Sequence, residues 1–110
     1  MRQTREQIIV KSFIEYLEMQ VCKNELITVN KAARTIFVST IYLRQCCKKV
    51  LGLSPKIIIN KRTVEKSIYL FHNLSICENV ISEKMGFADE SSFCHFFKRQ
   101  TGRLLKDYIS

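Results

Sequence analysis

Apolar side chains recur every three or four residues through most of this chain, the period of a helix with one face turned inward. Over residues 6–22 the stripe is Ile9, Phe13, Leu17 and Val21, widened by Ile14, while Lys11, Glu15 and Glu18 fall elsewhere on the surface. Lys23-Asn24-Glu25 is a polar break. Thr28 is placed to cap a short second helix carrying Ala32, Ala33 and Ile36. After Phe37-Val38, Ser39 caps a third helix predicted to run to about Val50, and Gly52 stands where a left-handed C-terminal residue belongs. Ser54-Pro55 reads as an N-cap followed by proline at the first helical position. The long helix it opens runs to about Phe71 and would bury Ile57, Val64, Ile68 and Phe71. A short helix over Asn79–Lys84 breaks at Gly86. Asp89 caps another over Glu90–Gln100, ended by Gly102, and Leu104, Leu105, Tyr108 and Ile109 supply a last short apolar helix. Ile57-Ile58-Ile59 is β-branched, but its proline start and helical continuation argue against a strand. The pattern predicts an all-α chain of about seven helices.

The chain also repeats itself. Its first half carries a small residue at Ala33, aliphatics at Ile36 and Val38, then Leu43-x-x-x-Cys47-Lys48-Lys49-x-x-Gly52. The second half carries Ser82, Met85 and Phe87, then Phe93-x-x-x-Phe97-Lys98-Arg99-x-x-Gly102. Each unit is a short helix, a tight turn and a longer helix ending in a basic pair. A small residue lets the first helix cross closely over the second, which is the helix-turn-helix arrangement. Its second helix fits a major groove about 12 Å wide. A plain helical bundle with solvated lysines is the alternative reading of the same pattern.

Charge weighs against that alternative. The net charge is +8, and its placement is uneven. Residues 1–25 and residues 65–110 each balance acids against bases, whereas residues 26–64 hold Lys31, Arg34, Arg44, Lys48, Lys49, Lys56, Lys61 and Arg62 with no acid. A bundle gains nothing from excluding acids over such a stretch, while a phosphate-facing surface does. The length suits one small domain. No apolar run reaches membrane-spanning length, and Met1-Arg2-Gln3-Thr4-Arg5 does not lead into a signal-type stretch.

Five cysteines, Cys22, Cys46, Cys47, Cys77 and Cys94, contain no C-x-x-C pair, and His72 and His95 are not at helical spacing. A structural zinc needs four convergent ligands, so no metal and no cofactor is expected. Reduced, mostly buried thiols of a cytoplasmic protein are the expectation, with redox sensitivity at Cys46-Cys47 a minor alternative. No nucleophile–base pair and no phosphate-binding loop is visible, so no catalytic residue is assigned.

Three stretches together resemble the DNA-binding domain of the AraC/XylS family of bacterial transcription regulators. They are Val38-Ser39-x-x-Tyr42-Leu43, Gly52-Leu53-Ser54-Pro55, and Gly86-Phe87-Ala88-Asp89-x-Ser91-x-Phe93-x-x-x-Phe97-Lys98-Arg99-x-x-Gly102. The resemblance covers residues 28–108, and residues 6–22 resemble the family's first helix. It implies a single domain over residues 1–110: a first helix and helix-turn-helix subdomain (6–52), a long linker helix (55–71) and a second helix-turn-helix subdomain (74–110). It further implies recognition helices entering successive major grooves, promoter binding, often activation through RNA polymerase, and in many members a sensing or dimerisation domain outside this region. Five positions depart from the family pattern. Phe37 replaces a turn glycine, Cys47 a core aromatic, Glu78 an apolar residue, Leu105 a proline, and Thr63, beside Arg62, an arginine.

In the third helix, Leu43 with Cys46 or Cys47 should face inward, leaving Thr40, Ile41, Arg44, Gln45 and Lys48 outward. Arg44 can take the O6 and N7 edge of guanine, Gln45 can pair with adenine, and Ile41 can meet a thymine methyl. Thr40 joins them as a base contact, and the resemblance places groove contacts at these positions. It places Ser91, Ser92 and His95 on the second recognition helix likewise. Lys31, Arg34, Ser39, Lys48, Lys49, Lys98 and Arg99 are expected at phosphates. Phe93 and Phe97 should be core, and Phe96 either core or surface. The reading is sequence-specific binding of double-stranded DNA by a transcription regulator; the alternative is a basic helical module that binds RNA or an acidic protein.

Overall fold

The computed structural model describes residues 2–20 and 23–108. Six α-helices follow in order: α1 (Arg5–Gln20), α2 (Val29–Thr35), α3 (Thr40–Leu51), α4 (Pro55–Leu74), α5 (Glu78–Lys84) and α6 (Glu90–Thr101). No strand occurs among the described residues. The expected seventh helix is, among the described residues, a single 3-10 turn at Leu105–Asp107, with Leu105 buried and Tyr108 half-buried against the second core. Val21, Cys22 and Ile109 lie outside the described residues.

Local chemistry accounts for the helix starts. Thr4 and Gln7 bond reciprocally, Gln7 N–H to Thr4 Oγ1 at 3.1 Å and Thr4 N–H to Gln7 Oε1 at 2.9 Å, a capping box that opens α1. The Thr28 hydroxyl accepts from Lys31 N–H, Ser39 from Tyr42 N–H at 3.0 Å, and the Asp89 carboxylate from Ser92 N–H at 2.7 Å. Gly52 and Gly102, both at positive φ, close α3 and α6 by donating to Lys48 and Lys98 carbonyls.

The chain divides into two compact units, Met1–Gln20 with Ile27–Ile59, and Val21–Leu26 with Asn60–Ser110. In the first, Val10, Phe13 and Leu17 of α1 pack with Ala32 and Ala33 of α2, Leu43, Cys46 and Cys47 of α3, and Ile58 and Ile59 of α4. In the second, Leu70 of α4 packs with Ile81 and Met85, Phe93 and Phe97 of α6, and Leu105. The α4 face differs from the expected one. Ile57 is exposed, Val64, Ile68 and Phe71 are half-buried against the second core, and the fully buried positions are Pro55, Ile58, Ile59, Ser67 and Leu70. Ser67 tolerates this because its hydroxyl donates to the Thr63 carbonyl at 2.7 Å within the helix. The α1 stripe is likewise rotated, with Val10 buried and Ile9 and Ile14 at its margins.

The two α-helical pairs are built alike. At the end of α2, Phe37 N–H donates to the Arg34 carbonyl and Val38 N–H to that of Ala33. At the end of α5, Gly86 N–H donates to Glu83 and Phe87 N–H to Ser82. Both are Schellman turns, which need a left-handed residue at the position after the cap. Phe37 sits there at φ 61° and Gly86 at φ 85°. Ala33 and Ser82, each one turn before, are buried where the helices cross. Gly86 is constrained twice, because a Cβ there would lie 2.2 Å from the Glu25 and Leu26 backbone. That approach is held by Asn24 N–H donating to the Lys84 carbonyl at 2.9 Å.

Gly52→Ala meets no atom within 4 Å and should cost about 1 kcal/mol for its left-handed backbone alone. Gly86→Ala should cost about 1–3 kcal/mol more, from the added clash with backbone that cannot yield. Denaturant unfolding of both variants checks the order; equal losses would contradict it.

Candidate nucleic-acid interface

One face of α3 is fully buried: Leu43, Cys46 and Cys47 are each 0 % exposed. Both thiols of the adjacent pair therefore face inward, where the sequence left the choice open. A helix anchored along that face must turn Ile41, Arg44, Gln45 and Lys48 to solvent, and all four are exposed, with Thr40 half-buried at the start. Ile41 is 63 % exposed, an unusual position for an aliphatic side chain in a helix that has a core face available. Lys31 and Arg34 of α2 and Lys49 of α3 are exposed as well, and Ser39 is occupied as the α3 cap.

α1 braces this helix through contacts that periodicity does not reveal. The Arg5 guanidinium lies 5.6 Å from the centre of the Tyr42 ring. Glu6 Oε2 stands 3.4 Å from Lys49 Nζ, a pair between residues 43 positions apart. A backbone hydrogen bond at its own residue and the facing Lys49 ammonium hold the Glu6 carboxyl below its ordinary value. Part of the charge at Lys49 is thus already met within the fold. Burial, then hydrogen bonding to Cys46, pushes the Tyr42 hydroxyl up.

The second unit places its residues in the same pattern. Phe93, Phe96 and Phe97 of α6 are buried, so Phe96 belongs to the core, its ring 5.2 Å from that of Phe87. Ser91, Ser92, His95, Lys98 and Arg99 are exposed. The surroundings differ in sign. Asp89, its carboxyl held low chiefly by Ser92 N–H, caps α6. It joins Glu83 and Glu90 around an open cleft of about 370 Å³ also lined by Asn79, Ser82, Phe87 and Ala88. The first unit has nine lysines and arginines against three acids, and the second nine against seven.

Among the described residues, Glu78, Glu90 and Cys94 bring potential ligand atoms within 4.8 Å of one another. Three donors fall short of a closed structural zinc site. Burial and the two carboxylates also push the Cys94 thiol up, against the thiolate a metal would need. Glu78 itself is half-buried in the first turn of α5, and Ile81 and Ser82 are that helix's inward pair.

Two short helix–Schellman turn–longer helix units, each with a basic pair in the last turn of the longer helix, define a helix-turn-helix protein. The family model described as helix-turn-helix domain matches residues 32–110, and the chain belongs to that family, of the AraC type. The C-terminal domain of AraT, a response regulator from Geobacillus stearothermophilus, is 25% identical with a TM-score of 0.83, over 96% of this chain and 86% of that one. The C-terminal domain of the two-component response regulator yesN from Fusobacterium nucleatum is 21% identical, TM-score 0.79, over 90% and 95%. The DNA-binding domain of AdpA, a global transcriptional factor solved with a target DNA, is 17% identical, TM-score 0.74, over 91% and 87%. No curated protein sequence matches. The chain is a sequence-specific DNA-binding domain of a transcription regulator. Among the described residues no helix is long and apolar enough to cross a membrane.

The thiols yield a direct check. Burial, then the neighbouring Cys46, pushes the Cys47 thiol up to about 11. Cys47 should stay unlabelled by a thiol reagent at neutral pH, along with fully enclosed Cys46, while exposed Cys77 reacts ahead of both. Peptide mapping after brief labelling reads the order. Rapid modification of Cys46 or Cys47 in the folded protein would contradict the packing.

Proposed function

We propose that this chain reads promoter DNA chiefly through α3. The observation that carries the reading is the bare outer face of α3, Thr40, Ile41, Arg44 and Gln45, opposite a fully buried one and inside an acid-free segment. Arg44 donates its fork to a guanine edge, Gln45 pairs with adenine, and Ile41 meets a thymine methyl. Lys31, Arg34, Ser39, Lys48 and Lys49 hold the phosphates on either side, Lys49 after exchanging its Glu6 partner. Ser91, Ser92 and His95 of α6 contact a second groove, with Lys98 and Arg99 at phosphates. Residues 1–110 act as one domain, 6–52 and 74–110 being the two reading subdomains and 55–71 the linker helix. Binding and recruitment are the whole mechanism, with no chemical step, no cofactor, and RNA polymerase as the onward partner. The work is done in the cytoplasm.

Family membership and the acid-free segment support DNA over RNA or an acidic protein, and competition at fixed salt between duplex DNA and RNA tests that choice. On a site selected from random duplexes, Arg44→Ala should cost roughly 1–3 kcal/mol of binding and relax preference at one base pair. The log–log salt slope should be about −0.9 per phosphate contact, and a flat response would sink the DNA reading.

The two units are unequal readers in this scheme, because α6 begins among Asp89, Glu90 and Glu83. Reversing the charge of Lys48-Lys49 should therefore weaken binding and flatten the salt slope more than reversing Lys98-Arg99. Fluorescence anisotropy across a salt series ranks the two, and the opposite ranking would overturn the inequality.

A further inference from the structure

The Phe37 backbone serves the α2 turn, but its side chain lies outside the core. Its side chain is 94 % exposed, and its φ of 61° is the left-handed region that a phenylalanine adopts only at a cost of about 1–2 kcal/mol. The corresponding position of the second unit is Gly86, the residue type that the turn itself favours. A bare aromatic ring held in strained backbone, where glycine would serve the turn better, points to a contact made outside the chain.

What that contact is follows from the surroundings. Phe37 lies in the turn between α2 and α3, two residues before the α3 cap at Ser39. Ile41, the other strongly exposed aliphatic or aromatic side chain of this segment, follows four residues later in the first turn of α3. Lys31 and Arg34 precede the ring and Arg44 and Lys48 follow it, with no acid between residues 26 and 64. A basic surface of this kind favours a polyanion and disfavours the acid-poor apolar patches of protein partners. In helix-turn-helix docking, the N-terminal residues of the recognition helix approach the base edges.

We infer that Phe37 is a DNA-contacting residue of the first unit, its ring packing with Ile41 onto the apolar part of the groove wall, a thymine methyl or deoxyribose. This rests on the DNA-binding reading above and adds an apolar contact to its polar ones. The ring releases no counterion, so it contributes affinity without contributing to salt dependence.

The test separates folding from binding, because the two should move in different directions. Phe37→Gly relieves the left-handed strain, so its melting temperature should be unchanged or raised. Its affinity for a duplex selected by the wild type should fall at least about fivefold, with the salt slope unchanged. Phe37→Tyr, which keeps the ring, should bind nearly as the wild type. Replacing thymidine by deoxyuridine along the site names the atom. A loss seen in the wild type and absent in Phe37→Gly identifies a methyl; no loss from deoxyuridine, with Phe37→Gly still weak, identifies the sugar wall. If Phe37→Gly binds as tightly as the wild type at a temperature where both are fully folded, the inference is overturned. That result leaves DNA binding intact, whereas absence of salt-dependent duplex binding by the wild type would remove the underlying reading instead.

Discussion

The close crossing of a short helix over a longer one is the constraint on which each unit depends. It requires a small residue at the crossing, Ala33 or Ser82, and a left-handed residue in the turn, Phe37 or Gly86. With both in place, the chain reverses within four or five residues and the longer helix starts on a side-chain cap at Ser39 or Asp89. The direction of α3 and α6 is therefore set by local contacts. What remains for packing is to fix their rotation.

Rotation is fixed differently in the two units. In α6 the inward positions are Phe96 and Phe97, large enough to make an aromatic cluster with Phe87, Phe93 and Tyr108. In α3 the corresponding positions are Cys46 and Cys47, which fill far less space. Phe13 and Leu17 of α1 supply the missing volume from outside the helical pair, and both are fully enclosed. α1 then sits close enough for Arg5 and Glu6 to reach Tyr42 and Lys49 of the reading helix. The first unit thus couples an added helix to its basic face, and the second fills its core with the rings of α6 together with Leu70 of α4 and Leu105.

This difference runs alongside the difference in charge. The unit whose core is braced by α1 carries most of the positive excess, and the aromatic one carries carboxylates around the start of its own reading helix. In the proposed mode of binding, a duplex would meet a stronger electrostatic attraction at the first unit than at the second. Two copies of one motif can divide labour in this way because the motif constrains only the crossing and the inward face. The outward residues are left to vary.

The sequence by itself determined the helices, their caps and the repeat, because these depend on neighbours within about four residues. Thr28, Ser39, Asp89, Gly52 and Gly102 act where their spacing places them. It also determined the outward face of α3, since a helix with Leu43, Cys46 and Cys47 on one side has no freedom about the other. Tertiary structure alone decided what depends on a second surface. Of the expected α4 face, Val64, Ile68 and Phe71 do line the second core, while Ile57 is exposed and Ile58 and Ile59 enter the first core in its place. The last described segment makes one 3-10 turn, anchored by Leu105 and Tyr108 on the second core. The Glu6–Lys49 pair and the contact of Gly86 with the Glu25–Leu26 backbone join residues too distant for any periodicity to connect. Phe37 belongs to both accounts. Its identity is plain in the chain, but only the fold showed its ring bare among the described residues.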